Sequence, residues 1–219
     1  MKREDIILGA LLCFAGGAMD GYSYCMQGGV LAAAQTGNLL LLTLHIVEGK
    51  WSDATGYLIS LLCFILAVFL TRLVQERLFS GKTLTWRKCF VWIEFFVFTV
   101  IGYCGARIPS FTVIAAISFL ATIQYCTFRS FGEGAPYATV FCTGNIRSLM
   151  DNVYDGTVGG DVQSRKRAGG YVIMLSCFAL GAACSGLLSK IVKYHAIWLS
   201  CMALLGAEVI LSIRFCRKK

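Results

Sequence analysis

The chain has 219 residues, of which 57% are hydrophobic and 15% charged, with a net charge of +8 and two prolines. A soluble domain carries about 25% charged residues to cover its surface, so this composition excludes a soluble globular fold, a disordered chain and a collagen-like one, and leaves a polytopic membrane protein. The basic excess reads as the loop bias that orients membrane helices and not as a nucleic-acid surface, because no basic run is interleaved with aromatics.

A helix that crosses a bilayer needs about 20 predominantly apolar residues. Residues 6–26 form the first such stretch; they end in the polar patch Asp20 to Tyr24 and lack the small-residue cleavage pattern of a secretory signal. Residues 28–47 are long enough to cross but hold Gly28, Gly29, Gln35, Gly37 and Asn38. Residues 55–75, 89–106 and 111–130 read as full spans. The stretch 136–150 is short and holds Pro136, Gly144 and Asn145, and the spans 168–189 and 194–214 follow it. Backbone polar groups in lipid must be satisfied internally, so the two broken segments fit only where protein or a cavity surrounds them. The eleven cysteines include no CxxC pair and sit mostly in apolar runs, which predicts reduced thiols packing as small hydrophobes.

Positive charge selects a topology. Six full crossings with the N-terminus inside place sixteen of the twenty Lys and Arg residues on the cytoplasmic side, and eight crossings place only twelve there. The positive-inside rule favours six, with both termini cytoplasmic and the two broken segments entering and leaving on one side. Arg129 and Arg147, flanking the second broken segment, read as snorkelling to that interface.

An internal repeat points the same way. Residues 56–66, GYLISLLCFIL, and 170–180, GYVIMLSCFAL, are identical at seven of eleven positions, at an offset of 114. Glu94 and Glu208 share that offset, and Gln35-Thr36-Gly37-Asn38 recurs as Cys142-Thr143-Gly144-Asn145. The halves are about 1–107 and 108–219, each with three crossings and one Thr-Gly-Asn (TGN) segment. An odd number of crossings per half turns the second half upside down relative to the first, the inverted-repeat architecture of many secondary transporters. The expected fold is therefore an all-α membrane protein, a single domain over 1–219, of two inverted three-helix repeats.

The TGN elements are the sharpest site signal. Glycine permits a break or a close backbone approach, and Thr and Asn suit helix starts while keeping polar atoms for a ligand. Two helices that begin near the membrane midplane would aim free N–H groups at a shared site. Thr36, Gly37, Asn38, Thr143, Gly144 and Asn145 are the binding candidates. Asp20 and its repeat partner Gln124 join them, since ionisable groups within spans are costly and often functional. Asp20, Glu94 and Glu208 are the candidates for proton coupling; for the two glutamates, hydrogen bonds across helices explain the pattern equally well.

The pattern Met19-Asp20-Gly21-Tyr22-Ser23-Tyr24, followed by a Gly-rich stretch and Thr36-Gly37-Asn38, resembles the start of the YoaK family of small bacterial multipass membrane proteins. Gln124 and Cys142-Thr143-Gly144-Asn145 resemble that family's repeated motif. The resemblance covers nearly the whole chain and implies placement in the bacterial inner membrane; the family's domain has no assigned function, so no substrate is implied. Tyr125 departs from the pattern, where a smaller polar residue such as Asn is expected.

These readings converge on a small secondary transporter that binds a small anion or polar metabolite between the two TGN half-helices, with proton coupling open. A channel-like pore and a non-transporting scaffold or accessory subunit are the rivals. No hydrolase, kinase or nucleotide motif and no metal-ligand cluster appears, so neither an enzyme nor a cofactor is expected. The expected partners are the lipid bilayer and an unidentified small molecule or ion, with no nucleic acid; homo-oligomerisation is left open.

Overall fold

The computed structural model describes residues 3–131 and 135–217. Eight α-helices follow one another in the described residues: α1 (Arg3–Met26), α2 (Gln35–Val47), α3 (Trp51–Leu78), α4 (Thr83–Cys104), α5 (Ser110–Thr127), α6 (Cys142–Thr157), α7 (Val162–Val192) and α8 (Trp198–Cys216). A 3-10 turn, Lys193–Ile197, joins the last two. The one addition to the expected all-α fold is a two-residue antiparallel ladder, Ser130–Phe131 with Ala135–Pro136. Among the described residues four stretches are long and apolar enough to cross a membrane: Glu4–Met26, Trp51–Leu78, Ser110–Thr127 and Val162–Cys216, the last holding both α7 and α8. The 22-residue α4 carries Arg87, Lys88 and Glu94 and falls outside that set.

Several boundaries differ from the sequence expectation. Helix α4 begins at Thr83 instead of 89 and α7 at Val162 instead of 168, because both helices extend as polar turns beyond their apolar cores. Asp161 caps α7, accepting from the N–H groups of Gln163 and Ser164 at 2.9 and 3.1 Å. The Ser164 hydroxyl and these N–H groups hold the Asp161 carboxyl below its ordinary range. The two broken segments are helical only in their second parts, from Gln35 and Cys142 onward. Gly28 and Gly29, at φ of 67° and 80°, turn the chain out of α1, a conformation that favours glycine.

Contacts between helices give each one a direction. Helices α1 and α7 run parallel: Gly9 meets Met174, Gly17 meets Phe178, Gly21 meets Ala182 and Gly186 meets Cys25. A Cβ on Gly17 would collide with the Phe178 carbonyl oxygen, and one on Gly181 with that of Phe14. Small residues thus let the two backbones touch, as membrane helix pairs favour. Helices α3 and α5 are also parallel, joined by the Ser60 and Ser118 hydroxyls at 2.9 Å, with Gly56 against Ile114. Helix α8 runs antiparallel to both α4 and α1. The Trp198 indole donates to the Thr99 carbonyl at 3.2 Å, Lys88 meets Glu208 at 3.4 Å, and Arg214 meets Asp5 at 2.6 Å.

The bundle consequently has two distinct ends. The starts of α1 and α4 and the ends of α5 and α8 gather at the first, where Trp86 donates to Thr127 at 2.9 Å and Arg214 and Arg217 meet Glu4. The end of α1 and the start of α5 meet at the second, where Ser110 donates to Gln27 at 2.6 Å. Lys50, Arg107, Lys190 and Lys193 lie in or beside the connections at the second end.

Burial is inverted relative to a soluble protein. Leu58, Leu62, Ile65, Leu66 and Phe69 are exposed on α3, while Asn38, Ser60, Glu94, Ser118 and Gln124 are fully buried. Such a surface suits hydrocarbon, and Asn38, Ser60 and Ser118 pair with one another inside. Cys13 and Cys201 are buried, whereas Cys25, Cys89 and Cys216 lie on the exposed surface, a correction to the expectation that the thiols pack inside.

Candidate functional site

Helices α2 and α6 hold 13 and 16 residues. They are thus about 20 and 24 Å long, shorter than the roughly 30 Å of a hydrocarbon core. Both begin inside the bundle. The turn before α2 reaches Asp20, whose carboxylate accepts the Ala33 N–H at 2.9 Å. The segment before α6 lays Val140 and Thr139 against Gly16, near the middle of α1. Phe141 packs its ring 4.6 Å from Tyr125 and 6.3 Å from Phe64. From these starts α2 runs to the second end, where the His45 and Tyr57 rings meet tilted at 5.2 Å, and α6 runs to the first, where Arg165 donates to the Gly156 carbonyl at 2.8 Å.

The two asparagines make the same bracket. Asn38 accepts the Leu31 N–H at 3.1 Å and donates to the Leu31 carbonyl at 2.6 Å. Asn145 accepts the Ala138 N–H at 2.9 Å and donates to the Ala138 carbonyl at 2.7 Å. Each amide satisfies both backbone groups of the residue seven positions earlier and so folds its extended segment back along its own helix. The first bracket is tied further into the protein: Asn38 and Gln35 both donate to the Ser60 hydroxyl, at 2.9 and 3.2 Å. The second half holds Cys142 and Met174 at the positions of Gln35 and Ser60, so this network has no counterpart there.

A cavity of about 810 Å3 opens where both helices start. Gln35 and Thr36 enter it from α2, Cys142 and Thr143 from α6, and Asp20 and Tyr24 from α1. Leu31, Val140, Phe141 and Phe178 give it apolar walls. Among the described residues Asp20 is the one acidic side chain in the lining, and no Lys, Arg or His joins it. Neither half-helix start carries a side-chain cap; in α2 the Gln35 N–H donates to the Ala33 carbonyl at 2.8 Å, and the next N–H groups of that first turn, like those of the first turn of α6, have no intrahelical acceptor. The volume falls within the roughly 300–1,000 Å3 of small-molecule sites.

The sequence candidates thus separate into three groups. Thr36, Thr143 and Asp20 line the cavity. Asn38 and Asn145 lie beneath it, 0% and 3% exposed, bonded to backbone, with Gly37 and Gly144 alongside them in the first turns. Gln124 is buried elsewhere, donating to the Leu12 carbonyl at 3.2 Å while its carbonyl oxygen finds no partner. Glu94 and Glu208 lie on α4 and α8, which pack together, and neither reaches the cavity. Glu208 contacts Lys88 and accepts from Ser212 at 3.0 Å, whereas both carboxyl oxygens of Glu94 are buried without a partner. Gln35, Cys142 and Tyr24 were missed by the sequence reading. The first two stand immediately before each TGN triplet, and that register was the available signal. No group of His, Cys, Asp and Glu suited to a metal ion occurs among the described residues.

Comparison with known proteins supports membrane placement. The chain is 27% identical over 147 residues to the UPF0700 transmembrane protein YoaK of Bacillus subtilis (strain 168), an alignment covering 66% of this chain and 65% of that relative. No solved structure matches. The family profile described as "Protein of unknown function (DUF1275)" matches residues 8–210, a stretch that takes in both half-helices, both asparagine brackets and most of each of the six longer helices, and the chain therefore belongs to that family of membrane proteins.

Proposed function

We infer that this protein is a small secondary transporter of the bacterial plasma membrane, and that its solute, a small anion or polar metabolite, binds in the central cavity. One observation carries the reading: both half-helices begin, uncapped, at the same cavity and each presents a threonine to it. Uncapped helix starts within a membrane protein suit anionic or polar groups. Thr36 and Thr143 hold the solute. Asp20 is the coupling group, because among the described residues it is the one carboxyl in the lining. Asn38 and Asn145 position the two helix starts without touching the solute.

The helix directions support an inverted repeat. Pairing α1 with α5, α2 with α6, α3 with α7 and α4 with α8 matches helices that run in opposite senses, and the parallel contact of α1 with α7 corresponds to that of α3 with α5. In this reading α4 crosses with the others and both termini face the cytoplasm. No bond is made or broken, so the protein is not an enzyme.

The test is a thermal-shift screen of the purified chain against metabolites and ions, followed by uptake of each stabilising solute into proteoliposomes. Thr36→Val and Thr143→Val keep shape and remove a hydroxyl; each should weaken binding about five- to tenfold, as loss of one hydrogen bond does, with the folded yield unchanged. Asp20→Asn should abolish accumulation driven by a proton gradient. Flux that persists in Asp20→Asn with no accumulation in wild type would establish a channel, and neither a thermal shift nor flux would establish a scaffold or accessory subunit.

A further inference from the structure

The geometry points to a second binding site, for a phosphate group, at the first end of the bundle and separate from the central cavity. A pocket of about 350 Å3 lies between the α3–α4 turn and the last turn of α5. Arg87 and Arg129 line it, together with Ser80, Thr83 and Thr127. Neither arginine forms an ion pair among the described residues. The Nε of Arg87 is buried without a hydrogen-bond partner, and its guanidinium lies 5.2 Å from the centre of the Phe128 ring. Among the described residues Arg129 reaches the Cys126 sulfur, at 3.8 Å, and the face of Tyr125, at 5.8 Å.

Two guanidinium groups on one pocket, neither in an ion pair among the described residues, make a site that an anion completes, and the buried, unpartnered Nε of Arg87 gains most from it. The remaining donors suit a tetrahedral oxyanion. Thr127 already accepts the Trp86 indole N–H at 2.9 Å, which leaves its own hydroxyl proton to donate into the pocket. Thr83 opens α4, whose start has no side-chain cap. Glu76, the one acid among the described residues of the lining, is engaged by Arg72 at 2.9 Å, which offsets its repulsion. Planar guanidinium forks bind phosphate oxygens in pairs, which a spherical halide does not exploit. The phosphate belongs either to a free ion or to the headgroup of an anionic lipid. Under the orientation inferred above, this end meets the negatively charged cytoplasmic leaflet.

The full chain, purified into phosphatidylcholine nanodiscs, is melted against increasing inorganic phosphate, with chloride at matched ionic strength as the reference. The melt is repeated in nanodiscs containing phosphatidylglycerol. Wild-type protein should melt higher with phosphate, with phosphatidylglycerol, or with both; stabilisation by the lipid alone identifies a headgroup, and stabilisation by phosphate identifies a free ion. Arg129→Gln, an exposed position that the fold tolerates, should shift the phosphate midpoint at least about tenfold or erase the lipid effect, as loss of a charge-assisted pair of bonds does. Arg147→Gln removes one charge from α6, outside the pocket, and should respond as wild type does. The site is overturned if neither ligand stabilises wild type, if Arg129→Gln responds as wild type does, or if Arg147→Gln weakens the response equally. Arg87→Gln adds a second reading where it folds, and Arg129→Gln decides the matter where it does not.

Discussion

Asn38 and Asn145 each give one side-chain amide to both backbone groups of a residue seven positions earlier, as a neighbouring strand would in a sheet. The reason is the solvent. A segment such as 31–34 has no helix of its own, and in a membrane interior no water replaces the missing bonds. Leucine at either position preserves bulk but strands an N–H and a carbonyl, each costing about 1–3 kcal/mol. Asn38→Leu and Asn145→Leu are therefore each expected to lose about 2–5 kcal/mol of stability, with Asn38→Leu the worse because it also deprives Ser60 of a partner. Denaturant titration in detergent measures this. Two variants as stable as wild type would show that the brackets do not hold the segments, and would return the asparagines to the list of solute ligands.

At the scale of elements, the crossing of α1 on α7 depends on absent side chains. Gly17, Gly21 and Gly181 sit where an added Cβ would meet the opposing backbone, which has no rotamer with which to yield. Gly17→Val or Gly181→Val should separate the helices and cost about 3 kcal/mol or more, at the upper end of overpacking penalties. Gly144 makes the opposite case. It lies in the first turn of α6 with nothing within 4 Å of an added Cβ, so Gly144→Ala should be neutral or add up to about 1 kcal/mol through helix propensity. Melting temperatures of the three variants check this order. Destabilisation by Gly144→Ala equal to that of Gly17→Val would mean that another surface packs there. The same pair of facts explains why the TGN glycines and the α1 glycines look alike in sequence yet act differently: one set opens a helix start, and the other lets two helices touch.

For the whole molecule, the ends of the bundle carry unequal charge. Lys82, Arg87, Lys88, Arg214 and Arg217 gather at the first end, whereas Lys50, Arg107, Lys190 and Lys193 are set at the second. A bilayer that keeps basic loops on its cytoplasmic side should orient the first end inward. Lys50→Cys and Lys82→Cys, placed singly in a background whose exposed native cysteines are serine, should label from opposite faces of the membrane, Lys50→Cys from outside. Labelling of both from one face would defeat the six-crossing arrangement, and with it the opposed half-helices on which the transport reading depends.

Membrane character, the positions of the longer helices and the internal repeat were legible in one dimension, because hydropathy, charge and self-similarity are properties of the chain order. The two half-helices were legible too, since Gly and Asn inside apolar stretches need protein around them. What one dimension does not hold is the direction in which a short helix start turns its side chains. Within Gln35-Thr36-Gly37-Asn38 only tertiary structure decides that Gln35 and Thr36 face the cavity and Asn38 faces its own backbone. The pairing of Glu94 with Glu208 at one offset was likewise visible, yet packing sends one to Lys88 and leaves the other enclosed without a partner. Arg87 and Arg129 stand 42 positions apart and look like separate interfacial charges; they share a pocket only because the turn between α3 and α4 lies against the end of α5. Spacing along the chain sets which residues a helix presents, and the contacts between helices set what those residues meet.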